Sequence, residues 1–164
     1  MNTQTIQNKH LQIEYTTDAL RIMGLNLPGK PNLLADLSDA APLQTPYGDF
    51  HFRGGHRLWH APEDMPRTYI PDAELTITDL ADGVFLESAA EPGTGIRKQI
   101  RIQLASHKPS LTLTHVLSNE GLWPVELAAW AITQFRLGGT VILPMPIRNA
   151  DSRGLLHNRQ ICLC

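Results

Sequence analysis

The chain has 164 residues, 42% of them hydrophobic and 18% charged, with 14 Lys and Arg against 16 Asp and Glu for a net charge of −2. That size and balance fit one globular domain, residues 1–164, whose core is large enough to need no disulfide or metal staple. The basic residues are scattered, so the clustered positive footprint of a nucleic-acid binder is missing; apolar runs broken within about ten residues fall short of the ~20 that a membrane-spanning helix requires.

The opening MNTQTIQNKHLQIEY has neither the apolar segment nor the small-residue cleavage site of a secretory signal, which makes a cytoplasmic location the expectation. Cys162 and Cys164 form a C-x-C pair near the end of the sequence. Residues two apart in extended chain bridge poorly and two thiols make an incomplete metal site, so both are expected to be reduced.

Twelve Gly and twelve Pro punctuate short segments rich in Leu, Ile, Val and Thr, and no long apolar pattern of period 3.6 survives between them. Strands are expected over 10–15 and 19–25, separated by the turn Thr16-Thr17-Asp18. A short helix is expected over 31–41, between Pro31 and Pro42. Leu75 and Ile77 alternate with polar neighbours before Ala81-Asp82-Gly83 and the segment 84–88, which reads as a β-hairpin. Residues 96–104 place Ile96, Ile100, Ile102 and Leu104 on one face and Arg97, Gln99, Arg101 and Gln103 on a wet one. Leu111, Leu113, His115 and Leu117 line one side of a strand over 110–118. After Asn119-Glu120-Gly121, a long strand is expected over 124–135. Antiparallel strands at this turn spacing indicate an all-β fold, a sandwich or barrel.

The densest chemically capable segment is 47–64, where His51, Arg53, His56, Arg57, Trp59, His60, Glu63 and Asp64 surround Gly54-Gly55. Arg and His donate to sugar hydroxyls, carboxylates accept from them, and a Trp face packs on the apolar side of a pyranose. Composition alone equally suits a solvated surface loop. Metal binding is disfavoured because strand ligands sharing a face sit at i and i+2, and no His-x-His pair occurs; no metal or cofactor is expected. For His115 and Trp130, both on strands, the plainer readings are a hydrogen-bonded core histidine and a packed aromatic.

The run GGHRLWHAPED at 54–64, with PSLTLTHVLSNEGLWPVELAAWAITQFRLGGTVILPMP at 109–146, resembles the galactose mutarotase-like superfamily, which includes aldose 1-epimerases. The turn Asn119-Glu120-Gly121, the strand through Trp130 and the early Asn32-Leu33-Leu34-Ala35 carry the similarity further. It implies an antiparallel β-sandwich of the mutarotase-like supersandwich type, present as its N-terminal half, and a monosaccharide or sugar derivative as ligand. By the resemblance His56 and Arg57 contact the sugar, joined by Trp59, His60 and Trp130.

Mutarotases use a His acid and a Glu base to open and close the ring. The family's acid aligns with Trp130, and its base belongs to the second half of a chain roughly twice as long, a comparison of lengths rather than of size classes. The catalytic candidates left here are His115 or His60 as acid and Glu63 or Glu126 as base. Sugar binding is therefore expected ahead of turnover, with an active aldose mutarotase and a non-catalytic interaction module as alternatives. Half of a supersandwich leaves strand edges uncovered, which leads to the expectation of a truncated chain or a homo-oligomer.

Overall fold

Turn residues divide the chain into short strands, which a computed structural model describes for residues 1–143. In chain order these are β1 (Thr3–Gln7), β2 (Gln12–Thr16), β3 (Arg21–Asn26), β4 (Asp36–Leu37), β5 (Leu43–Thr45), β6 (Gly48–Phe50), β7 (Arg53–Gly54) and β8 (His56–Ala61). A single helical turn, α1 (Met65–Thr68), precedes β9 (Leu75–Leu80), β10 (Gly83–Ser88), β11 (Ile96–Leu104), β12 (Leu111–Asn119) and β13 (Ala128–Thr133). Two large antiparallel sheets result, one ordered β1-β2-β3-β8-β13 and the other β12-β11-β10-β9, with β4-β7 and β5-β6 as separate two-stranded pairs.

The sheets pack face to face because their alternating apolar residues point at each other. Ile13, Tyr15, Ile22 and Leu58 of the first sheet meet Val84, Leu86, Ile100 and Ile102 of the second in one core cluster. Each such aliphatic side chain, fully buried, contributes about 1.5–3 kcal/mol relative to exposure. The hairpin of β9 and β10 and the whole of β11 form as their alternation predicts. One position breaks the apolar stripe of β11. Lys98 lies on the inner face between Ile96 and Ile100 and is only 8% exposed.

The short excursion from β4 to β7 packs behind the first sheet. No helix forms over 31–41. Leu34 bridges Phe135, and Asp36–Leu37 pairs with Arg53–Gly54. Asn32 directs this path, accepting from the Leu25 amide at 3.0 Å and donating to the Met23 carbonyl at 2.8 Å. Pairing with distant strands outweighs a helix that two prolines would confine to under three turns. The expected strand over 124–135 is shortened to Ala128–Thr133.

Among the described residues, β12 and β13 are edge strands of their sheets on the same side of the sandwich. Their surroundings expose Leu122, Trp123, Val125 and Leu137, with Leu122 92% and Trp123 77% accessible. Among the described residues no helix is long and apolar enough to cross a membrane. Cys162 and Cys164 lie outside the described residues.

Candidate functional site

Strand β8 carries most of the polar cluster, and its pleat divides that cluster in two. Side chains alternate between faces along a strand, so His56, Leu58 and His60 point into the sandwich while Arg57 and Trp59 point away from it. All five are buried. The candidates thus leave the strand on two faces rather than one.

On the inner face, His56 Nε2 lies 2.8 Å from His115 Nε2 of β12, and His56 Nδ1 lies 2.8 Å from the Thr133 hydroxyl of β13. A neutral imidazole has one N–H and one lone pair, so one ring donates and the other accepts. Burial, reinforced by His115, pushes the His56 imidazole down to about 4, and burial also lowers His115. The pair is a bond between neutral rings.

Four residues further along β8, about 13 Å by strand rise, His60 Nε2 meets Glu91 Oε2 at 3.2 Å. The Thr94 hydroxyl donates to the same oxygen at 2.9 Å, and Lys98 pairs with the other carboxylate oxygen. Burial pushes the Glu91 carboxyl up, but the bonds from His60, Lys98 and Thr94 outweigh it and hold the group below the usual range. A cleft of about 230 Å³ opens beside His60, with Arg67, Thr94 and Glu126 as its other polar side chains and Ile96, Val125 and Leu127 as apolar wall.

On the outer face, the Arg57 guanidinium stacks 3.8 Å from the centre of the Trp59 ring and donates to the Phe52 carbonyl at 3.1 Å. Trp59 also contacts Trp130, directly opposite it on β13, and Tyr69 and Phe50. Trp130 is therefore part of an aromatic layer. Glu63 lies beyond the end of β8, where it accepts from the Tyr69 hydroxyl. His115 and Glu63, one of the acid candidates and one of the base candidates of the sequence, occupy separate environments. Among the described residues, His60 is the histidine with a carboxylate partner, and that partner is Glu91.

Gly54 and Gly55 serve the backbone. Both have positive φ, and a Cβ on Gly55 would fall 2.2 Å from the Ile22 carbonyl oxygen. Their amides and carbonyls tie β8 to neighbouring chain, as in the bonds from Gly55 N to Ala35 O and from Gln134 N to Gly55 O, each 2.9 Å.

Sequence reasoning missed Glu91, Thr94 and Lys98. Only Lys98 left a trace, a cation at an inner position of an otherwise apolar stripe. Compared with known proteins, the chain matches no family model, no curated protein and no solved structure.

Proposed function

We propose that this protein binds a carbohydrate, with the cleft beside His60 as the site. The observation that carries the reading is the composition of that cleft: His60, Arg67, Thr94 and Glu126 supply donors and acceptors, and Ile96, Val125 and Leu127 supply an apolar wall. A pyranose needs both. The volume of about 230 Å³ lies below the ~300–1,000 Å³ of drug-sized sites, which suits a monosaccharide. The resemblance of 54–64 and 109–146 to galactose mutarotase-like proteins supports the same ligand class.

Titration with common monosaccharides, followed by amide chemical shifts and tryptophan fluorescence, tests the proposal. Saturable binding is expected, weakened about tenfold in His60→Ala by loss of one good hydrogen bond. Absence of binding at millimolar sugar would overturn it.

A second reading, aldose mutarotation, is favoured by one observation, the His60–Glu91 contact beside a cleft that also contains Glu126. An imidazole oriented by a carboxylate can exchange protons with a sugar hydroxyl. Polarimetry of freshly dissolved glucose or galactose decides it. No acceleration over buffer excludes turnover of those sugars while leaving binding intact.

We also propose self-association through the open side. Both edge strands there, β12 and β13, lack Lys, Arg, Asp, Glu and Pro, the usual guards of a free edge.

A further inference from the structure

Behind the first sheet, Arg21 of β3 and Arg57 of β8 are register partners, so their side chains emerge together on the outer face. Both are deeply buried, with 2% and 6% exposure. Arg53 joins them, and Asp72 serves two of the three: it lies 3.5 Å from Arg21 and 3.2 Å from Arg53. Arg53 has a second carboxylate in Asp18 at 3.9 Å. No carboxylate among the described residues lies within 4 Å of Arg57. Its Nε has no hydrogen-bond partner there, and its contacts are the Phe52 carbonyl and the rings of Trp59 and Phe52.

A cavity of about 40 Å³ lies against this guanidinium, lined also by Arg21, Asp72, Ser88, Glu91 and Lys98. One water needs roughly 10–15 Å³ measured in this way, so the space admits a carboxylate or phosphate oxygen group and little else. Four side-chain cations, Arg21, Arg53, Arg57 and Lys98, together with the Met1 ammonium at Asp18, meet three carboxylates, Asp18, Asp72 and Glu91. Each carboxylate is matched, Glu91 by Lys98 and His60, and the excess charge falls on Arg57. A charge held out of water is costly without a counterion, and arginine's planar fork suits an oxyanion.

We propose that the cavity at Arg57 is a binding site for a compact oxyanion, a carboxylate or a phosphoryl group, with Arg57 as the primary contact and Trp59 as the platform that holds its guanidinium. The cavity reaches from Arg57 to Glu91 and Lys98 of the His60 cluster, but the proposal stands independently of the carbohydrate reading, since the anion need not belong to a sugar.

The test is titration of the full chain with sodium phosphate, sulfate and acetate at constant ionic strength, read by calorimetry and by intrinsic tryptophan fluorescence. Saturable binding is expected for at least one anion, and the comparison of acetate with phosphate tells carboxylate from phosphoryl selectivity. Arg57→Gln should weaken it about tenfold or more, the loss of one charge-assisted contact. Asp72→Asn, which removes one of the two carboxylates lining the cavity, should tighten it, and this arm stands even where Arg57→Gln fails to fold. No saturable response, a response that chloride reproduces equally, or affinity unchanged in both variants would overturn the proposal.

Discussion

His56 and His115 face each other across the two sheets with their Nε2 atoms 2.8 Å apart. The bond exists only while at least one ring is neutral, and a proton on each would set two charges against one another inside the sandwich. Among the described residues, it joins the sheets at their open side, where β12 lies near β13.

Acid should therefore loosen the fold through His56. Its folded pKa of about 4 lies below the ordinary 6.5, so below 6.5 the unfolded chain binds the proton more readily and stability falls with falling pH. The full contribution, about 3 kcal/mol from a shift of this size, is present above pH 6.5 and is lost progressively down to pH 4. Urea denaturation across that range measures it. His56→Gln, which cannot titrate, should flatten the slope; an unchanged slope would mean that another group is responsible.

Glu91 holds two partners that would otherwise be buried alone. Glu91→Ala leaves Lys98 without its counterion and His60 without its bond, and a broken buried pair typically costs about 3–5 kcal/mol. Glu91→Gln keeps the shape and one acceptor and should cost less. If both variants unfold at the wild-type denaturant midpoint, the cluster contributes nothing to the fold.

Gly55 is expected to tolerate no side chain. With φ at +66° and an added Cβ 2.2 Å from a backbone oxygen, Gly55→Ala combines left-handed strain of about 1–3 kcal/mol with a clash that must move β3. Gly29, with φ at +69° in open space, is the control. Gly29→Ala should cost about 1–2 kcal/mol, the strain alone. Thermal melts of the two variants should separate clearly, and equal losses would refute the close-approach account.

Light scattering coupled to size exclusion tests self-association. A mass above the 18.2 kDa of one chain is expected. Trp123→Ser, which removes an indole 77% exposed in one chain, should shift the equilibrium toward monomer. A monomer at every concentration would rule the proposal out.

The hairpin of β9 and β10, strand β11 and the inner face of β12 were legible in the sequence because each is a local alternation whose apolar half had to be covered. Residues 31–41 were not, since their structure comes from pairing with Arg53–Gly54 and Phe135, partners that local propensity does not see. The same limit shaped the reading of the site. The sequence placed His56, Arg57, Trp59 and His60 in one segment, and only the pleat of β8 assigned them to opposite faces. Only the packing of the two sheets joined His56 to His115 and His60 to Glu91, residues 59 and 31 positions apart. Composition determined which groups were available for chemistry. Tertiary structure decided which of them meet, because burial and hydrogen bonding across the sandwich depend on the register and stacking of strands far apart in the chain.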